Sequence, residues 1–468
     1  METERLAWKP NIDGRDKPAY LAIADAIAAD IAAGRLAPRQ RLPPQRVLAE
    51  QLGIDFTTVS RGYTEARHRG LVDARVGRGT FVSVTAPRPS PERAPAAAAR
   101  FVDMTMNQPP LPEASGIIER LREGLAAVAA GIGLHELLRY PEADDQAESR
   151  AAGSLWLRQR LPEAPPERIL VCPGTQSALL ALLTALARPG DTVCAEALTY
   201  PGFKAIATQL GLRLVGVPVD DDGLNPDALA SALAEHRPKA LYCMPTLHNP
   251  TTATMSPERR AAVVRIARAH GVPILEDDIY GPLAAAAPPP LAVLAPEGVY
   301  YIGGLAKCLS PALRIAYVLA PDARLALRLN AALRSTALIA SPLTAAVARR
   351  WILDGSARAV LEAIRDEATV RNALARTCLP SGSFVTSPEA FHLWLRLPEV
   401  WSRGEFTAAI RVRGIAAVAS DAFALSQSAP EALRICLGAP IDREETRRVL
   451  GILAETLDQF PAGTAAVI

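Results

Sequence analysis

The chain has 468 residues, 49% of them apolar, and a formal net charge of +2. That length suits two to four domains with a large core, and the near-neutral balance excludes a global preference for polyanions, so any nucleic-acid site must be a local patch. Six single cysteines without a C-x-x-C pair, an N-terminus without an apolar signal core and no apolar run of spanning length predict core thiols in a reducing compartment, no metal site and a cytoplasmic location.

From Pro18 to Ala33, apolar residues at Leu21, Ile23, Ala24, Ile27, Ala28 and Ile31 fall at helical spacing, and Gly34 ends the pattern. Leu42-Pro43-Pro44-Gln45-Arg46 opens a short second helix closed by Gly53. Asp55 suits the N-cap of a third helix from Thr57 to Arg69, and Gly70 to Val82 alternates like a hairpin with a glycine-rich tip. This order predicts a winged helix-turn-helix, whose last helix enters the major groove while the wing touches the backbone. Between Gly34 and Thr80 nine arginines face four acids, a local excess suited to phosphate contacts. These arginines also suit a merely solvated face.

Three blocks in order, Leu42-Pro43-Pro44-Gln45-Arg46, Thr57-Thr58-Val59-Ser60-Arg61-Gly62-Tyr63 and Gly77-Arg78-Gly79-Thr80-Phe81-Val82, resemble the DNA-binding domain of the GntR family of bacterial repressors. The resemblance implies that Arg46, Thr57, Thr58 and Arg61 meet double-stranded DNA and that Gly77, Arg78, Gly79 and Thr80 form the wing. Phe56 stands where many relatives place an arginine.

Val84 to Arg100 is rich in Ala, Pro, Ser and Arg without periodicity, as in a semi-extended linker. The predicted domains are therefore residues 1–83, a linker at 84–100, and 101–468. From about Glu167, short apolar strands alternate with helices: strands at Arg168–Cys172, Thr192–Ala195, Leu212–Val217, Ala240–Met244, Pro273–Glu276 and Val299–Ile302. Such a pattern predicts a mostly parallel α/β sheet, with ligands outside its C-terminal strand ends.

The polar clusters fall at those ends. Gly174-Thr175-Gln176 opens a helix whose free N–H groups can receive a phosphate, or is an ordinary turn. Tyr200 can stack on an aromatic ring, or pack in the core. Asn249, before Pro250, offers an amide or marks a turn. Glu276, Asp277 and Asp278 are costly to bury unless they meet a cation, or else form an exposed acidic loop. Lys307, one of only five lysines, ends another strand in Gly303-Gly304-Leu305-Ala306-Lys307, with Arg314 beyond it. A desolvated lysine loses its proton more readily and can form a Schiff base with an aldehyde; a lysine at a strand end can also simply reach solvent.

Together G-T-Q, Y-P-G, N-P-T, D-x-x-Y, A-K and R, in this order, resemble fold-type I pyridoxal-phosphate enzymes of the aspartate aminotransferase kind over about residues 101–460. The resemblance implies a large, mostly parallel α/β domain with a smaller α+β C-terminal subdomain. It implies pyridoxal 5'-phosphate as cofactor, held as an aldimine on Lys307. Asp277 would pair with the pyridine nitrogen, Asn249 and Tyr280 would bond the ring oxygen, and Tyr200 would stack on the ring. Gly174, Thr175, Gln176 and Arg314 would hold the phosphate, with Tyr140 reaching it from a neighbouring subunit, and Arg434 would clamp a substrate carboxylate. Gly304, Ala306 and Thr252 depart from this pattern: two hydroxyl residues are missing near the lysine, and a glycine is missing after N-P-T.

The two parts joined by a linker resemble the MocR subgroup of GntR regulators. That implies a PLP-dependent transcription regulator, a head-to-tail homodimer away from any membrane, which senses an amino acid, an amine or the cofactor itself. The alternative is a working aminotransferase with a secondary winged helix.

Overall fold

The computed structural model describes residues 8–10, 19–32, 35–37, 39–68, 71–75, 79–83, 101–112, 116–131, 146–438 and 441–460. The chain divides into two compact units, Met1–Ala98 and Ala99–Ile468.

In the first unit, α1 (Ala19–Ala32), α2 (Gln45–Leu52) and α3 (Phe56–His68) precede an antiparallel pair, β1 (Val72–Arg75) and β2 (Gly79–Val82). Gly53, at φ 66°, closes α2 in the left-handed conformation that glycine adopts without strain. Asp55 starts α3: its carboxylate accepts the Thr57 backbone N–H at 2.6 Å and also the Thr57 hydroxyl. Ile23, Ile27, Leu48 and Val59 fill the core between the helices, each aliphatic side chain contributing about 1.5–3 kcal/mol by burial. The Tyr63 hydroxyl donates to the Pro43 carbonyl at 2.8 Å, fixing α3 to the proline turn. Arg41 bridges Phe81, so the chain before α2 lines the hairpin as a third extended segment.

The second unit is built on a seven-stranded sheet of order β4-β12-β11-β10-β9-β5-β6. Short β3 (Val102–Asp103) precedes it. The strands are β4 (Ile169–Cys172), β5 (Thr192–Glu196), β6 (Arg213–Val217), β9 (Leu241–Cys243), β10 (Ile274–Asp277), β11 (Val299–Gly304) and β12 (Ala316–Leu319), with a hairpin of β7 (Val219–Asp220) and β8 (Gly223–Leu224) after β6. β5, β6, β9, β10 and β11 run parallel; β12 is antiparallel to both its neighbours. β4, β5, β9, β10, β11 and β12 are buried along their whole length, which is why their sequences read as unbroken apolar runs. The expected strand Pro273–Glu276 is shifted to Ile274–Asp277, which makes Asp277 its last residue.

The smaller subdomain holds a four-stranded antiparallel sheet of β13 (Phe384–Val385), β14 (His392–Arg396), β17 (Ala432–Cys436) and β16 (Val418–Ala419). β3 pairs in parallel with β15 (Ile415–Ala416), so residues that open the second unit are built into its C-terminal subdomain. Among the described residues no helix is long and apolar enough to cross a membrane.

Candidate functional site

β10 and β11 are adjacent and parallel, so the residues that follow them emerge at one sheet edge. Lys307 follows β11 there. Its ammonium donates to the Asn107 carbonyl. Burial is the main cause that brings Lys307 down to about 8; with Arg434 and Arg314 it outweighs the opposing pull of Cys436 and Asp277.

The acidic run separates by strand alternation, which sends neighbours to opposite faces. Glu276 accepts the backbone N–H groups of Leu291 and Ala292 at 2.8 and 2.9 Å, capping a short helix. Asp278 accepts from Arg160 at 3.0 Å and from the Tyr301 hydroxyl at 2.8 Å. Asp277 accepts the Tyr242 hydroxyl at 2.9 Å through Oδ2, while its buried Oδ1 has no hydrogen-bond partner among the described residues. The three acids thus have three roles: Asp277 and Asp278 each keep a buried Oδ1 without a hydrogen-bond partner among the described residues, but Asp278 is already ion-paired with Arg160. Burial pushes Asp277 up to about 7. An unpartnered carboxylate oxygen in an apolar interior is costly, and a buried cation is its natural complement.

Around this pair stand the other predicted residues. Gly174, at φ 86°, precedes the helix Thr175–Leu186, whose first turn has no side-chain cap. Arg314 lies against Gly174: a Cβ there would be 3.6 Å from the Arg314 Nε. The uncapped helix start and this guanidinium therefore lie side by side, an arrangement whose chemistry suits an anion. The Gln176 amide donates to the Tyr200 hydroxyl at 3.3 Å. Gly202 is needed beneath Tyr200, since a Cβ at 202 would lie 2.4 Å from its ring. Arg434 donates to Asn249 Oδ1 at 2.8 Å and to the Thr105 carbonyl at 2.5 Å, and its guanidinium carbon stands 4.9 Å from the centre of the Phe423 ring. Its buried Nε has no partner among the described residues.

Of the departures from the resemblance, Gly304 sits in close quarters, whereas Thr252 carries backbone strain that a glycine would relieve. A Cβ on Gly304 would come within 2.9 Å of Thr175 Oγ1 and 3.0 Å of Ile279 Cγ2, so a side chain there would have to displace these neighbours. Thr252 holds φ 63°, a left-handed conformation that disfavours a β-branched residue. Thr252→Gly is expected to stabilise the fold by about 1 kcal/mol, read as a higher denaturant midpoint. A lower midpoint would mean that threonine packing outweighs the strain.

Asn107, Thr105 and His392 reach this site without having been singled out from sequence. The Asn107 amide nitrogen is 2.8 Å from the Tyr280 hydroxyl and 3.2 Å from His392 Nδ1. Tyr140 lies outside the described residues.

In the winged-helix unit, Arg46 is exposed, with its guanidinium 5.9 Å from the Phe56 ring centre. Thr57 is exposed with its hydroxyl engaged by Asp55, and Thr58 is partly exposed. Arg61 stacks over the Tyr20 ring at 4.3 Å. Thr80 and Gly79 lie in β2, and Gly77 and Arg78 are outside the described residues.

Comparison with known proteins joins these two regions. Residues 99–453 match the family model for aminotransferase class I and II, and residues 19–82 match that for bacterial regulatory proteins of the gntR family. The uncharacterized HTH-type transcriptional regulator YdeF of Bacillus subtilis is 31% identical over 461 residues, covering 98% of this chain and 99% of its own. The chain belongs to the MocR-type GntR regulators. In this group a GntR helix-turn-helix is fused to an aminotransferase-like domain. The MocR-type chain is also 29% identical to the probable rhizopine catabolism regulatory protein MocR of Rhizobium meliloti, over 65% of this chain and 66% of that one. Its fold matches LysN, the α-aminoadipate aminotransferase of Thermus thermophilus, with a TM-score of 0.70 at 24% identity, covering 79% of this chain and 94% of LysN.

Aminotransferases of this fold use pyridoxal phosphate, and this regulator's own residues fit that group by their chemistry. They offer an unpartnered buried carboxylate oxygen, a buried lysine brought down to about 8, an uncapped helix start beside a guanidinium and a bare glycine beneath a tyrosine ring.

Proposed function

We propose that this regulator binds pyridoxal 5'-phosphate at Lys307 and alters its hold on operator DNA when an amino acid or amine reaches that site. The observation that carries the reading is the unpartnered Asp277 oxygen, on the strand next to the one that presents Lys307. Bound pyridoxal phosphate supplies an aldehyde that amines exchange onto and a ring that withdraws electrons once its nitrogen is protonated. Asp277 would keep that nitrogen charged. Gly174, Thr175, Gln176 and Arg314 would hold the phosphate, Tyr200 would cover the ring, and Asn249 and Tyr280 would bond its oxygen. LysN, which shares the fold, was captured with N-(5'-phosphopyridoxyl)-L-leucine.

Arg434 is the residue proposed to receive a ligand carboxylate, for which a planar guanidinium is suited. A carboxylate entering there exchanges for the Thr105 carbonyl. A ligand shifts DNA binding only if it binds two arrangements of the protein differently. Visible absorbance of the cofactor-loaded protein, titrated with amino acids and amines, tests this. A band that shifts and holds supports sensing; absence of any band ends the assignment of Lys307.

One observation favours a second reading, a working aminotransferase. Burial brings Lys307 down to about 8, closer to neutral pH than a free lysine, which suits it to accept and return protons as a general base. Recovery of a keto acid from the added amino acid marks that outcome.

For the winged helix, Arg46→Ala is expected to weaken operator binding and to reduce the slope of log affinity against log salt by about 1, the signature of one lost phosphate contact. Fluorescence anisotropy at several salt concentrations reads both. An unchanged slope would remove Arg46 from the DNA interface.

A further inference from the structure

We propose that Asn107 is a positioning residue for the Tyr280 hydroxyl, and that His392 locks Asn107 in that role. The proposal deepens the cofactor reading and rests on it. The three side chains come from distant parts of the chain, and each is at least nine-tenths buried: Asn107 is 6% exposed, Tyr280 2% and His392 0%.

The orientation of the Asn107 carboxamide follows from the histidine. His392 Nε2 lies 3.3 Å from the His248 carbonyl oxygen, which can only accept, so Nε2 carries the hydrogen. Burial, and then Arg434, pull His392 down to about 3, so the ring is neutral and Nδ1 is bare. A bare nitrogen accepts. The group that Asn107 turns towards it, at 3.2 Å, is therefore the NH2, and the second hydrogen of that NH2 goes to the Tyr280 oxygen at 2.8 Å. The reverse orientation would set a carbonyl oxygen against a bare nitrogen.

Tyr280 thus receives one hydrogen bond and keeps its own hydrogen to give. No described residue accepts that hydrogen. A hydroxyl that accepts a bond becomes a better donor. Directed at the ring oxygen of bound pyridoxal phosphate, it favours the ionised form of that oxygen and lowers the pH at which the bound cofactor changes protonation state. The other ionisable groups near Tyr280 are Arg434, Cys436, Asp277 and Tyr200, and those near His392 are Arg434, His248 and Lys307. Asn107→Leu, close in size and without charge, leaves all of them in place, together with the backbone carbonyl that Lys307 uses.

The test is the pH midpoint of the visible band in the cofactor-loaded protein. Asn107→Leu is expected to raise it by about half a unit to one unit, roughly a 3- to 10-fold change in proton affinity. Tyr280→Phe should raise it at least as far, and adding Asn107→Leu to Tyr280→Phe should then change nothing further. An unmoved midpoint in Asn107→Leu overturns the proposal, as does an equal shift in the Tyr280→Phe background. A second readout needs neither cofactor nor substitution. In the unsubstituted chain with 15N-labelled histidine, His392 should be the neutral tautomer with hydrogen on Nε2, and hydrogen on Nδ1 would overturn the orientation. If the unsubstituted protein shows no visible band, the cofactor reading fails, and the tautomer still decides how Asn107 is turned.

Discussion

Replacing Lys307 with alanine is expected to abolish covalent attachment of pyridoxal phosphate, read as loss of the borohydride-fixed adduct from the intact mass. Lys307→Arg should lose it as completely, because a guanidinium keeps the charge but stays protonated and cannot act as the nucleophile. The two variants separate charge from chemistry: if Lys307→Arg kept the adduct, another amine would have to carry it. The remaining lysines at 9, 17, 204 and 239 are the alternatives. Lys204, for one, donates to the Ala424 carbonyl at 2.8 Å, on a helix rather than in the strand-end turn.

Asp277→Asn is expected to act in opposite directions with and without cofactor. With it, the substitution removes the charge proposed to face the ring nitrogen, and breaking a buried pair of this kind costs about 3–5 kcal/mol, or roughly 200- to 5,000-fold in affinity. Without it, the pH dependence of stability changes. Asp277 is raised in the folded chain from 3.8 to about 7, so the fold holds its proton more tightly than the unfolded chain does. Such a group's contribution is fully present below the unfolded value and is lost as pH rises towards the folded one. Between about pH 5 and pH 8 the cofactor-free protein should therefore lose stability, with Asp277 contributing on the order of 2 kcal/mol of the loss and buried Glu196, raised to about 8, adding to it. Asp277→Asn should flatten that fall, measured as denaturant midpoints across the range. An unchanged pH slope would mean that Asp277 does not titrate in the folded chain.

Motifs confined to one strand end could be read directly. Gly174-Thr175-Gln176, Asn249-Pro250, Asp277 with Tyr280, and Lys307 each follow a single apolar run, and a parallel sheet brings such ends to one edge whatever separates them in sequence. The helices of the winged unit were equally legible, since proline, glycine and the Asp55 cap mark their ends locally. Asn107 and His392 carried no such mark. They belong to β3's extension and to β14, elements of the small subdomain whose position over the sheet edge depends on long-range pairing. The division of labour in Glu276-Asp277-Asp278 was available in principle. Strand alternation alone puts Asp277 on the opposite face from its neighbours, but Arg160 and Tyr301, which occupy Asp278, lie more than twenty residues away in sequence. The φ of Thr252 gives a physical reason for the glycine common among relatives, which the sequence of this chain alone does not contain.

The most direct test of the account is the affinity of the cofactor-loaded protein for the DNA upstream of its own operon, measured with and without the compound that shifts its visible band. This compound is expected to change DNA affinity, and Lys307→Ala is expected to remove the change while leaving basal DNA binding intact. Unaltered DNA affinity, with the same compound converted steadily to its keto acid, would contradict it and make the chain an aminotransferase that carries a winged helix.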